Sequence, residues 1–472
     1  MRFLLLFLIY FASLTASAQT SDTNVCHIGF TYNISLNKHW GYGKPIITHV
    51  SPYTSAEQAG LKTGDIIETI DGIPTQELTS DMLPLLFNSA EKDNTMLTVR
   101  GFGQQRTMLI KRTCKPQKAI TEDQLATAFA FYSLETTTNR SFTCPFTTKI
   151  TADSVDFSTF HTFAFSALDP NNSQLESNIN AFIQTNLEKK GLLMENEDPD
   201  ILIQTYYFFD KNPNFTKTNK VSINKEATYR FNGISNRMEA FPFLPSSAAE
   251  ADAPYLLQLG IRLIDKKTAT DRILWECEAN ELLQEAYDLS IYAGIHIPLM
   301  FEQFPCVKHS RNVRFVLNQQ AYNYTGISYD IDNLSHVIDV APNSPAWEAG
   351  IRKGDIIEKI GNHKLKYTAE EYTMAYKSFI SATMKLRNPA SIYTDMNGFR
   401  RCMYWDKEKY FEVAKTISKP KYRAPFSYLF AYAPYIQHDT NNICSFKLIK
   451  ADTDWTLMLR PSLRTAVSLT VE

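Results

Sequence analysis

The stretch VSPYTSAEQAGLKTGDIIETIDG at 50–72 returns without a gap as VAPNSPAWEAGIRKGDIIEKIGN at 340–362. The two copies share Val50/Val340, Pro52/Pro342, Ala56/Ala346, Ala59/Ala349, Gly60/Gly350, Gly64/Gly354, Asp65/Asp355, Ile66/Ile356, Ile67/Ile357, Glu68/Glu358 and Ile70/Ile360. Each reads as a strand ending at Val and a turn opened at Pro, followed by a short helix stopped by Gly60 or Gly350. A Gly-Asp turn then leads into a strand, 66–70 in one copy and 356–360 in the other. A helix follows in each, from Thr79 to about Asn88 and from Thr368 to about Ile380, the second opened by the capping box Thr368/Glu371. Strands 96–99 and 108–110 are expected to close the first copy, and 384–386 and 402–404 the second.

Outward from this core, Ile28-Gly29-Phe30 precedes the first copy and Thr325-Gly326-Ile327 the second. The combination V-x-x-x-S-P-A-x-x-A-G-[LI]-x-x-G-D-x-I with an upstream apolar-Gly-apolar loop resembles the PDZ family. The second copy fits nearly residue for residue, and the first departs at Ser55, where the family carries Pro. The resemblance implies two small PDZ-like β-barrel or sandwich domains, over 26–113 and 320–405. It also implies a binding mode in which an extended peptide adds as a strand and its carboxylate meets backbone N–H groups of the Gly loop. Implied pocket residues are Ile28, Gly29, Phe30, Ile34, Met82, Leu85 and Leu86 in the first unit. In the second they are Thr325, Gly326, Ile327, Tyr329, Tyr372 and Tyr376. Because first and last strands pair in this fold, the resemblance also suggests a disulfide between Cys26 and Cys114. Loop 39–43, His-Trp-Gly-Tyr-Gly, lies in a connection longer than its counterpart and is expected to border a groove.

Between the copies, VDFSTFHTFAF from Val155 alternates like a half-buried strand. Leu175, Ile179, Phe182, Ile183 and Leu187 then share a helical face that ends at Gly191. Strands at 200–209, 255–265 and 272–279 and an apolar stretch from Ile291 to Phe304 complete an α+β sheet domain. The order of its D-F-S-x-F-x-T-F opening, I-L-W-E hairpin and closing F-P resembles an uncharacterised domain family of bacterial envelope proteins over 150–305. Nothing catalytic follows from that likeness. Tyr206-Tyr207-Phe208-Phe209 reads as a core strand buried on both faces, and 211–252 as an insertion or loop. The expected organisation is thus multidomain and α+β: a leader at 1–18, the first unit, a linker at 114–149, the central domain, the second unit, and a β-rich C-terminal region at 406–472.

With 44% apolar and 21% charged residues in 472, the chain has ordinary globular usage. Its 48 basic and 50 acidic side chains leave a net charge of −2, with no basic excess to attract nucleic acid. MRFLLLFLIYFASLTASAQT reads as a secretory leader cleaved after Ala18, with no lipid-bearing Cys beside the cut. No later segment is long enough for a transmembrane anchor. Seven cysteines stand singly without a C-x-x-C pair, so no cofactor or metal motif is found. No G-x-S-x-G, G-N-S-G-G or H-E-x-x-H element occurs either, and Asp330-Ile331-Asp332-Asn333 lacks the Gly and Glu of a calcium loop.

The reading is an exported, periplasmic or secreted, non-catalytic scaffold or sensor in the bacterial envelope. It would bind envelope proteins or peptides with exposed apolar C-termini. The alternatives are an envelope peptidase or peptidase regulator, and a structural part with degenerate grooves.

Overall fold

The computed structural model describes residues 24–88, 92–128, 138–151, 155–216, 228–245, 248–268, 270–394, 400–402, 405–422, 425–429, 443–450 and 453–472. The expected leader at 1–18 lies outside them. The first copy runs through β1 (Asn24–His27), β2 (Phe30–Ile34), β3 (Pro45–Val50), α1 (Ser55–Gln58), β4 (Ile66–Ile70), β5 (Ile73–Pro74), α2 (Met82–Asn88), β6 (Asn94–Arg100), β7 (Gln105–Lys111) and β8 (Thr113–Pro116). Its sheet has the order β2-β3-β4-β6-β7, with β5 added to β4. Strand alternation builds the core: β6 turns Thr95, Leu97 and Val99 inward, where they meet Phe30, Ile47, Ile67, Ile70, Leu83 and Phe87. β1 pairs with β8, which sets Cys26 opposite Cys114, and the two are bonded with an S–S distance of 2.04 Å.

The shared residues of the repeat have shared jobs. The Thr54 and Ser344 side chains cap their short helices, accepting from Glu57 N and Trp347 N. Gly60 and Gly350 end those helices at φ +81° and +90°. Asp65 accepts from Lys62 N at 2.8 Å and Asp355 from Arg352 N at 2.9 Å, closing the same Gly-Asp turn.

Of the segment 114–149, expected as a linker, the described residues join folded parts. β9 (Ala119–Thr121) and α3 (Glu122–Ala128) pack with the second unit, where Ile120, Leu125 and Ala126 join its core. β10 (Thr138–Ile150) belongs to the central sheet because Phe142, Cys144 and Phe146 alternate inward.

The central part continues through β11 (Thr162–Phe165), α4 (Ser173–Lys190), β12 (Leu193–Met194), β13 (Ile201–Lys211), β14 (Thr228–Asn232), β15 (Arg237–Phe241), β16 (Tyr255–Asp265), β17 (Arg272–Leu283), α5 (Leu289–Met300) and β18 (Arg311–Tyr324). α4 buries Ile179, Ile183 and Leu187 and stops at left-handed Gly191. Two expectations change here. Tyr206, Tyr207, Phe208 and Phe209 are not buried on both faces, because β13 outruns β11, which pairs only with its first residues. Within 211–252, 228–241 folds as the hairpin β14–β15, paired from Thr228↔Phe241 to Asn232↔Arg237.

The second copy has β19 (Ile327–Asp330), β20 (Val337–Val340), α6 (Pro345–Glu348), β21 (Ile356–Ile360), β22 (His363–Lys364) and α7 (Ala369–Thr383). It is not closed where the sequence suggested. Met384, Lys385 and Leu386 form a 3₁₀ turn, and Cys402 sits in a hairpin of β23 (Ile392–Thr394) with β24 (Arg400–Cys402). Residues 403–404 lie outside the described set. After α8 (Tyr410–Ile417), β25 (Cys444–Lys450) and β26 (Thr453–Leu459) complete the sheet β22-β21-β25-β26, with Phe446 and Leu448 turned into the core. The unit therefore does not end at 405. The β-rich region 406–472 also supplies β27 (Ser462–Val471), which pairs with β18 and completes the central sheet β12-β11-β13-β16-β17-β10-β18-β27.

Loop 39–43 docks the first unit to the central domain. Trp40 packs on Phe102 at 4.7 Å, and Phe102 stacks on Phe304 at 5.4 Å. His39 Nδ1 lies 2.8 Å from the Val155 carbonyl. Among the described residues no helix is long and apolar enough to cross a membrane.

Candidate peptide-binding grooves

In both units a glycine with positive φ opens the strand beside the long helix. Gly29 (φ +86°) and Gly326 (φ +95°) carry the same backbone turn. Their carbonyls accept from Ser51 N and Ala341 N, each at 2.8 Å. No side chain fits at either place: a Cβ on Gly29 would sit 2.7 Å from Thr54 Cβ, and one on Gly326 2.2 Å from Ser344 Cβ.

In the first unit this loop feeds β2, which among the described residues pairs with β3 alone. Phe30 is buried and Ile28 partly so. The ring of Phe87 meets Phe30 edge-on at 5.4 Å and Tyr32 at 5.0 Å. On α2, Leu83 and Phe87 are the buried residues and join this unit's core. Met82 (45% exposed) and Leu85 (71%) stand at the surface of α2, and Leu86 is partly buried against the core. Ile34, 37% exposed, stands at the far end of the strand.

The second unit gathers its expected residues and buries them. Thr325, Ile327, Tyr329 and Tyr372 are each at most 1% exposed. Tyr376 packs with them in one core. What covers them is the chain itself. β9 lies antiparallel along β19, with Ser328 opposite Thr121, Tyr329 opposite Ile120 and Asp330 opposite Ala119. The next residue, Glu122, sends its carboxylate into the glycine loop. It accepts from Thr325 N at 2.7 Å and Gly326 N at 2.8 Å, and also from the Thr325 and Tyr428 hydroxyls. The Tyr428 hydroxyl lies 2.8 Å from that of Tyr329. Burial pushes the Glu122 carboxyl up, against the pull of these donors. Lys115 Nζ donates to Ser328 Oγ at 3.0 Å, and Lys118 pairs with Asp332 at 2.7 Å. Sequence reasoning missed Glu122. The one local signal is Thr121-Glu122-Asp123-Gln124, a capping box that marks a helix start and not a groove occupant.

Elsewhere a buried polar cluster lies against β17 of the central sheet. Arg230 and Glu281 form a buried two-point pair. Tyr292 Oη donates to Glu281 at 2.8 Å, and His296 stacks on Tyr292 at 4.0 Å. Burial and the Arg230 charge hold His296 well below the usual histidine range. Burial also pushes the Cys144 and Cys277 thiols up to about 12, so neither is a ready nucleophile.

The stretch 148–306 matches the family described as a domain of unknown function, DUF4136, and 336–376 matches the PDZ domain. No curated protein matches the chain. The PDZ domain of HtrA3 bound to a phage-derived ligand, FGRWV, is 19% identical over 20% of this chain and 88% of its own, with a TM-score of 0.18. The PDZ domain of EpsC from Vibrio cholerae is 20% identical over 17% of this chain and 92% of its own, with a TM-score of 0.15. By contrast, the crystal structure of a PDZ domain protein from Parabacteroides distasonis is 50% identical over 95% of this chain and all of that one, with a TM-score of 0.84. A likeness of that depth over nearly every residue places the chain: it is multidomain, with a DUF4136 domain and a PDZ domain, and it belongs to the same family as that Parabacteroides distasonis PDZ-domain protein.

Proposed function

We propose that the chain is an exported, non-catalytic peptide-binding protein, that 26–113 forms a further PDZ unit, and that its groove between β2 and α2 is the one that takes a partner. The observation that carries this reading is the edge of β2 that no strand among the described residues pairs, beside the apolar residues Phe30, Leu83 and Phe87 and headed by the Gly29 turn. An extended segment laid along β2 satisfies its main chain on the strand edge, and its side chains meet these apolar residues. The partner is a protein or peptide of the bacterial envelope with an exposed apolar C-terminus. Export is supported by the leader-like first 18 residues, and the Cys26–Cys114 bond suits the oxidising compartment to which such a leader directs a chain.

Panning a library of C-terminally displayed peptides against the full chain tests this. Enrichment of apolar-ended sequences, lost in Phe87→Ala, is the expected result. Absence of any enriched sequence, or labelling of the purified protein by peptidase active-site probes, counts against it.

A further inference from the structure

The two units carry the same glycine turn and the same capped short helix, yet differ at the edge of the strand that follows the turn. Where β2 has a bare edge, β19 has β9. The direction of β9 matters. Because it is antiparallel to β19 and its Thr121 lies opposite Ser328, the chain runs from 119 to 122 toward the Thr325-Gly326 turn and arrives there at Glu122. A free peptide running this way would end in a carboxylate at the same turn. Here the main chain cannot end, because it continues into α3, so the carboxylate comes from a side chain. We propose that the second groove is a carboxylate-reading peptide site whose ligand is this chain's own segment 119–122, the Glu122 side chain standing in for a peptide's C-terminal carboxylate.

Three further observations fit a built ligand better than a chance contact. The carboxylate has two backbone and two hydroxyl donors, all on residues of the second unit. The apolar residue of the segment, Ile120, is buried in the same core as Tyr372 and Tyr376 of α7, where a bound peptide would set a side chain. The chain also leaves the site cleanly: Thr121 Oγ1 accepts from Gln124 N at 3.3 Å and Gln124 Oε1 accepts from Thr121 N at 2.9 Å, turning it into α3.

The consequence is a division of labour. The second groove is closed to partners and acts as a clasp. It fixes the segment that starts at the disulfide-held Cys114 of the first unit, so the two units are tied through a peptide-recognition contact made in cis. This assignment does not depend on whether the first groove binds anything.

A merely space-filling glutamate would not be replaced by a free anion. Glu122→Ala in the full chain opens a hole lined by donors, and sodium formate is the probe, with sodium chloride at equal ionic strength as control. The readout is backbone hydrogen exchange at Thr325 and Gly326 together with the melting temperature. In Glu122→Ala these amides should exchange at least tenfold faster than in the unaltered protein. Formate should slow them and raise the melting temperature in a concentration-dependent way, leaving the unaltered protein unmoved. Formate acting no differently from chloride overturns the proposal. Should Glu122→Ala fail to fold, Glu122→Gln keeps the shape and loses the charge, and unchanged exchange at Thr325 and Gly326 in that variant overturns it equally.

Discussion

Arg230 and Glu281 offer the sharpest energetic test of how the central domain is held. The hairpin β14–β15 lays Arg230 over β17, where its guanidinium meets the Glu281 carboxylate at two points and both side chains are at most 3% exposed. Tyr292 Oη donates to the same carboxylate, and His296 Nε2 lies 3.2 Å from Arg230 Nη1. Removing one member of such a pair strands a charge where water cannot reach it, at a cost of about 3 to 5 kcal/mol. Removing both restores an apolar interior. Arg230→Met should therefore destabilise the domain by about that amount, and Arg230→Met with Glu281→Leu should recover most of the loss. Amide exchange at Leu259 and Ile261 reads it, because β16 is paired on both sides by β13 and β17 and opens only with the domain. At roughly 1.4 kcal/mol per decade, the single variant should exchange about 140- to 3,700-fold faster. The reasoning fails if the single variant stays within tenfold of the unaltered protein, or if the double variant exchanges as fast as the single.

His296 predicts a pH dependence of the same domain. Its folded-state pKa is held far below its unfolded value, so the unfolded chain takes up a proton below about pH 6.5 that the folded chain refuses. Stability contributed by the neutral ring is complete above that pH and falls by up to about 1.4 kcal/mol per unit beneath it, and His296→Gln should flatten the slope in denaturation measured from pH 7 to 5. Reduction of the Cys26–Cys114 bond, which closes a separation of 88 residues, should destabilise the first unit by about 4 to 5 kcal/mol in the chain-entropy account. Paired melts with and without reductant check that figure, and equal melting temperatures would contradict it.

The repeat was legible because it rests on backbone demands that few residues meet. Gly60, Gly64, Gly350 and Gly354 all take positive φ, and Asp65 and Asp355 close the turns between them and the strands. The helix facing the first groove was not, because Met-Leu-Pro-Leu-Leu-Phe at 82–87 is apolar all round and carries no phase. The second copy held the key: Tyr372 and Tyr376 stand four and eight residues after Thr368, as Leu83 and Phe87 stand after Thr79. The hairpin at 228–241 had its own signal in Gly233-Ile234-Ser235-Asn236, a four-residue loop between alternating apolar residues with Asn236 at φ +57°. Strand pairings between distant segments left no such mark. Nothing in Cys444–Lys450 says that it joins Ile356–Ile360, and nothing in Ala119–Thr121 says that it lies on Ile327–Asp330. Those contacts are decided by which edges remain open once the local units have formed.

The central claim is that the first unit reads an extended chain ending in a carboxylate, through β2 and the Gly29 turn. Its most direct test is calorimetric titration of the full chain with an apolar-ended peptide drawn from the panning, in free-acid and C-terminally amidated forms. Both are repeated on Phe30→Ala, which removes the apolar side chain next to Gly29. The account predicts that the free acid binds, that amidation weakens it at least tenfold, and that Phe30→Ala weakens it by about 1 to 3 kcal/mol. Equal affinity for acid and amide, or affinity untouched by Phe30→Ala, would contradict it.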